Sequence, residues 1–160
     1  MKKVLLATLF WFLSLTWGLL MTFIGLIVTL VAIVFFKGKV HRNGFTYIVE
    51  VGGNWGGLSL GAVALCGGYT TVCQDVEWFQ HTRRHEFGHG LQNCVLGPLF
   101  PFLVAIPSAV RYHYQNHRSK RGLPNKDYDA AIYEYTASKY GYKAINSIEN
   151  QYMPYTYVRR

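Results

Sequence analysis

Acidic residues are scarce in this sequence: eight Asp and Glu stand against sixteen Lys and Arg, a formal net charge of +8. Such a surplus can serve nucleic acid, but here the basic residues form no stripe and accompany no recognition module. They gather instead at the borders of apolar segments, as Lys2 and Lys3 or Lys37, Lys39 and Arg42, where anionic lipid is the simpler partner. Nucleic acid therefore has no case as a partner. Cysteine is scarce too. Cys66, Cys73 and Cys94 form no CxxC pair, which argues against a disulfide scaffold and a thiolate metal site and for a reducing compartment. Charge of either sign is missing from Val4 to Phe36, thirty-three residues, which excludes an ordinary soluble domain. Aromatics at 16% exclude a disordered chain.

The uncharged run is the first thing present. As a helix it would extend roughly 50 Å, beyond a bilayer core of about 30 Å. A single tilted or protruding helix is the expected solution. The alternative is a hairpin turning near Trp17-Gly18, whose arms would be short for spanning. The run is too long for the apolar part of a signal peptide and lacks a small-residue cleavage site before Lys37. Residues 1–43 are thus expected to form a membrane anchor. The basic cluster after the run and the free thiols place the remainder on the cytoplasmic side.

The texture then changes. Phe45–Val51 is β-branched and aromatic and predicts a strand; Gly52–Gly57 reads as a turn, and Leu58–Leu65 as a second strand, giving a hairpin. Asp75 is placed to cap a helix over about Val76–Gln92. Cys94–Val110 is a second uncharged run, seventeen residues broken by Pro98, Pro101 and Pro107. It suits either a membrane-embedded broken helix or a buried core helix. Arg111–Lys126 reads as a polar, basic linker, Asp127 to about Tyr140 as a helix with Glu134 in its middle, and residues 146–160 as a Tyr-rich tail.

Within the first of these helices stands His85-Glu86-Phe87-Gly88-His89. Two imidazoles four residues apart share one helical face and can reach one metal ion, while the glutamate beside the first can take a proton from water at that metal. Zn2+ suits such a site, because nitrogen ligands bind it and an open position keeps a reactive water. A catalytic site needs a third protein ligand. Glu134, with Ala130, Ala131, Ala137 and Ser138 at helical spacing around it, lies on a helix able to approach closely. His113, His117, Asp127, Asp129 and Glu149 are the other candidates; the two histidines, flanked by Arg111, Arg118 and Lys120, read as a wet basic surface.

His85 to His89 with a glutamate on a later helix resembles the gluzincin arrangement of zinc metallopeptidases. More narrowly, Asn54-Trp55-Gly56-Gly57-Leu58-Ser59-Leu60-Gly61, His85–Asn93, Gly97-Pro98-Leu99, Ile106-Pro107-Ser108-Ala109 and Arg111-Tyr112 are similar to a group of small bacterial and phage membrane proteins. That likeness spans roughly residues 13–141. The group's Tyr-Asp and aromatic-Glu pairs, with a later Ala and Gly, fall on Tyr128-Asp129, Tyr133-Glu134, Ala137 and Gly141, which again selects Glu134. The resemblance implies a minimal zincin-like domain over residues 44–145, of α+β class and mainly α: a small β-hairpin sheet, the HExxH helix and a second ligand helix.

Two functions follow. One is a membrane-anchored zinc hydrolase, a peptidase acting on a peptide or protein substrate, in which His85, His89 and Glu134 hold the metal and Glu86 is the base. The other is a non-catalytic membrane adaptor with a structural or inert site. The presence of Glu86 favours the enzyme, since a structural site needs no base. Asp129, Tyr133, Tyr112 and His81 are candidates to support the ligands or to stabilise an oxyanion.

Overall fold

The computed structural model describes residues 2–53, 55–67 and 76–150. It is mainly helical with one small sheet, an α+β arrangement. The N-terminal apolar run is not one helix. It breaks into α1, Lys2–Leu15, and α2, Leu19–Phe36. At the break the Gly18 amide donates back to the Leu13 carbonyl at 2.8 Å, one residue beyond helical spacing. The break lets the two segments pack on different partners. Phe10 of α1 stacks on Phe87, while α2 lies along the sheet. Of the described helices, only α2 is by itself long and apolar enough to cross a membrane.

The face of α2 that meets protein is made of small residues at helical spacing. Gly18, Gly25 and Ala32 lie on it; a β-carbon on Gly25 would fall 2.2 Å from the Leu60 carbonyl oxygen. Its bulky residues, Leu20, Phe23, Leu30 and Val34 among them, point away and are exposed. The small residues of the inner face let the helix backbone approach the sheet closely.

The sheet has four strands in the order β1-β2-β4-β3: β1 Lys39–Asn43, β2 Thr46–Glu50, β3 Gly57–Leu60 and β4 Val63–Cys66. β1 and β2 are an antiparallel hairpin turning at Gly44-Phe45, with Gly44 at φ 64°. The expected single strand over 58–65 is two strands, because Gly61 at φ 68° turns the chain so that Leu60 pairs with Val63. The hairpin foreseen between β2 and the following strand is absent. β2 instead pairs in parallel with β4, whose four residues are all buried and so take a central place, leaving β3 at the edge.

Alternate residues of the central strands face opposite layers. Val49 and Leu65 pack on Ala32 of α2; Ile48, Ala64 and Cys66 pack on Phe79 of the long helix α3, Val76–Leu96. Beyond α3 lies α5, Ile132–Glu149, so α3 is covered on both sides, and residues 82–90 are buried without exception. The α5 helix starts later than the sequence suggests: Glu134 stands in its first turn, with Ala131 rather than Asp127 as N-cap. It also runs on to Glu149, past the expected start of the tail.

Between α3 and α5 the chain passes through a 3₁₀ turn, Gly97–Leu99, a π-helical turn, Pro101–Ala105, and α4, Ile106–Lys120. The expected basic linker is thus largely helix. The segment from 94 to 110 is no buried core helix: Phe100 and Val104 are buried, but Val95, Leu99, Phe102, Leu103, Ile106 and Val110 are exposed. The prolines turn the chain there, and the α3 and α4 directions differ by 118°. The expected cap Asp75, the motif residue Asn54 and Cys73 lie outside the described residues.

Candidate metal centre

The buried helix α3 is mostly polar, so each of its polar groups needs a partner. Arg83 forms a forked pair with Glu149 of α5, with contacts of 2.8 and 2.5 Å, and Arg84 donates to the carbonyl and side chain of Gln80. Two glycines let α5 come close. A β-carbon on Gly88 would fall 1.9 Å from the Ala137 carbonyl oxygen, and one on Gly141 equally close to that of Arg84. Backbone therefore touches backbone, and a carboxylate one turn before Ala137 reaches across to α3.

That carboxylate is Glu134. Its Oε2 lies 3.1 Å from His85 Nε2 and 3.3 Å from His89 Nε2, and the two nitrogens are 3.1 Å apart. The three form the one group among the described residues able to hold a metal ion, and all are buried. Oε2 accepts no hydrogen bond of ordinary geometry. The other oxygen, Oε1, accepts the Ser108 hydroxyl at 2.5 Å, so one lone-pair system is tied back and the other is aimed at the histidines.

Neighbouring hydrogen bonds fix the imidazoles. The Gln92 amide donates to the Tyr133 carbonyl and to Thr136, both at 2.8 Å, which turns its Oε1 toward His89 Nδ1 at 2.7 Å. Ser138 donates to Asp129 at 3.1 Å and thereby accepts from His85 Nδ1 at 2.8 Å. Both Nδ1 atoms are thus donors, and both Nε2 lone pairs converge with the carboxylate oxygen on one point. Three electron-rich atoms at such distances repel unless a cation or a proton lies between them. Burial opposes a charge on His89, but Glu134 and Glu86 outweigh it and raise its pKa. Burial alone would raise Glu134, yet contact with the two imidazoles holds its carboxyl well below the usual range.

Glu86 stands beside this group but outside it. Its carboxylate lies against the edge strand, where a β-carbon on Gly57 would fall 2.2 Å from Oε1. Burial raises its pKa, against the lowering effect of the two histidines. A group so shifted is a better proton acceptor than an exposed carboxylate. Glu86 also faces open space on both sides. A cavity of about 580 Å³ with many polar side chains in its wall and a more apolar one of about 340 Å³ meet at Trp55, Gly56, Gly57, Glu86 and Tyr112.

The remaining sequence candidates divide. Asp129 supports His85 through Ser138. His81 lines the polar cavity and contacts the Tyr142 hydroxyl at 2.8 Å, and Tyr112 lines both cavities. Tyr133 does not join them: its ring packs with Met21, Phe100 and Val104, and only its carbonyl serves the site. His113 and His117 are exposed on α4 and do not join the metal group, although His113 borders the smaller cavity beside Glu86 and His89. Cys66 is buried and its thiol is pushed up to about 12 by that burial, with Glu50 and Glu86 adding to it, so it is no thiolate ligand. Ser108, Gln92 and the hydrogen-bonding role of Ser138 were missed; the signals were Gln92 three residues after His89 and Ser138 four after Glu134, each one helical turn away. No protein-family model, curated protein or solved structure matches the chain.

Proposed function

We propose that this chain is a membrane-anchored, zinc-dependent hydrolase, and specifically a peptidase of gluzincin type. The observation that carries the reading is the triangle of His85 Nε2, His89 Nε2 and Glu134 Oε2, with sides of 3.1 to 3.3 Å. Ligands at about 2.0–2.1 Å from a tetrahedral zinc stand roughly 3.3 Å from one another, so the side chains need little adjustment to hold the ion. Two neutral histidines and one carboxylate form the donor set of a hydrolytic zinc site, with the fourth position left open. When bound, zinc supplies positive charge that polarises a carbonyl and makes water acidic enough to attack at neutral pH.

The chain's own residues do the rest. Glu86 accepts a proton from the attacking water and returns it to the leaving amine, so that the peptide C–N bond breaks as the C–O bond forms. His81 and Tyr112 border the cavity and are positioned to donate to a carbonyl oxygen as it gains charge. Asp129, Ser138, Gln92 and Ser108 hold the three ligands in orientation. Anchoring falls to α1 and α2, whose outward faces are apolar.

The test is a comparison of membranes from cells expressing the native chain or Glu86→Gln. Polypeptides that are shortened by the native chain and remain whole with the variant support the reading. Identical peptide inventories at equal zinc content favour the adaptor instead.

A further inference from the structure

The two cavities differ in character, and the metal group stands at their junction. His85 lines the larger one, which is bordered by Gln115, Asn116, Asn125 and Lys126. His89 lines the smaller, which is the more apolar of the two: Leu58, Leu60, Phe100, Val104 and Ala105 border it, with Ser108 and His113 as polar members. Glu86 belongs to both. A chain lying across Glu86 would therefore have a polar stretch on one side and an apolar stretch on the other.

The apolar chamber is also the one next to the anchor. Phe100 and Val104, with Leu60, pack on Met21 of α2. On the outside of the same elbow Phe102, Leu103, Ile106 and Val110 are exposed, Phe102 by 67%. These positions recur at three- and four-residue spacing, as on one helical face. α1 and α2 also expose apolar residues, and Trp17, between them, donates to the carbonyl of exposed Val95 at 3.3 Å. Such an extended apolar surface belongs in lipid.

A polypeptide fits this chamber better than an acyl chain does. Residues 57–60 of the edge strand β3 border it, and among the described residues β3 pairs only with β4, so its outer edge offers a place for an extended peptide to pair.

We propose that the substrate is a membrane-anchored polypeptide, cut where an apolar segment gives way to a polar one. This rests on the hydrolase reading above. Water adds across one peptide bond, giving a carboxylate and an amine, and no other reactant is required.

The experiment uses the full chain in mild detergent, loaded with zinc. Fluorescent peptides with one half apolar (Leu, Ala, Val) and one half polar (Ser, Asn, Glu), made in both orders, are compared with an all-polar peptide. Binding is read on Glu86→Gln and cleavage on the native chain. One of the two mixed peptides should bind at least about tenfold more tightly than the all-polar one, the equivalent of about two buried methylene groups. It should be cut near its polarity boundary. Ala109→Trp, which fills the chamber from an exposed position, should narrow that ratio while zinc content holds. Equal binding of all peptides, or a ratio that Ala109→Trp leaves unchanged, overturns the proposal even if peptides are cut. Selective binding without cleavage by the native chain overturns the hydrolase reading, and the proposed cut with it. Release of fatty acid from phosphatidylethanolamine–phosphatidylglycerol vesicles, abolished by Glu86→Gln, overturns the polypeptide in favour of lipid.

Discussion

Gly88 of α3 and Ala137 of α5 meet so closely that a β-carbon on the glycine would stand 1.9 Å from the alanine carbonyl oxygen. This contact decides where the third ligand lies. Glu134 sits three residues before Ala137, on the same helical face, and its short side chain reaches both histidines only because the backbones touch. Gly88→Ala must push α5 away, since a backbone oxygen cannot rotate aside. The expected result is a loss of about 1–3 kcal/mol in stability and a weaker hold on zinc. Thermal unfolding with and without zinc, and a chelator competition, measure the two effects.

The hydrogen bonds behind the ligands make a separate prediction. Ser138→Ala breaks the link from Asp129 to His85, and Gln92→Ala frees His89 to turn. Each should lower zinc affinity about 10- to 100-fold while the fold persists, as read by competition with a calibrated chelator.

Gly57 presses on the end of the Glu86 side chain rather than on backbone. Gly57→Ala should therefore displace the carboxylate without unfolding the protein. Zinc content should stay near native, and hydrolysis should fall about 100-fold, the scale of a base moved by roughly 1 Å. Steady-state kinetics on any cleaved peptide, beside metal analysis, check both halves.

How far the sequence reached is clearest at this site. The two histidines and Glu86 were legible because an i, i+4 pair on a helix has one geometry. Glu134 was legible because small residues surround it. The support from Ser108 was not, since nothing local places the start of α4 against the start of α5. In the sheet, Gly44 at the first position of the Gly44-Phe45 turn carried a signal that a reading begun at Phe45 passes over. Gly61 looked like a residue within a strand, and only its positive φ and the approach of Thr22 make it a corner. The order β2-β4-β3 depends on which strand is buried on both faces, a property of the packed layers. Hydropathy likewise identified the N-terminal run; one helix was the expected form, and the break falls instead at the alternative turning point near Trp17-Gly18, where Asn93 donates to the Gly18 carbonyl.

Acid should act on the pair that fastens the end of α5 to α3. Contact with Arg83 outweighs partial burial and lowers the pKa of Glu149 below its ordinary value. A carboxyl lowered by folding contributes stability that is fully present above its unfolded pKa of about 4.3 and disappears as pH falls through the folded value. The melting temperature should drop below about pH 4.3 more steeply for the native chain than for Glu149→Gln, which starts lower and lacks this titration. Melting curves across that range, at fixed salt, test it.

The central claim is that His85, His89 and Glu134 hold a zinc ion that Glu86 serves but does not bind. The most direct measurement is elemental analysis of the chain purified in mild detergent without chelators, beside Glu134→Ala and Glu86→Gln. The account predicts about one zinc per chain for the native protein and for Glu86→Gln, and a large loss for Glu134→Ala, because only the histidine pair remains. No zinc in the native chain, or native-level zinc in Glu134→Ala, would contradict it.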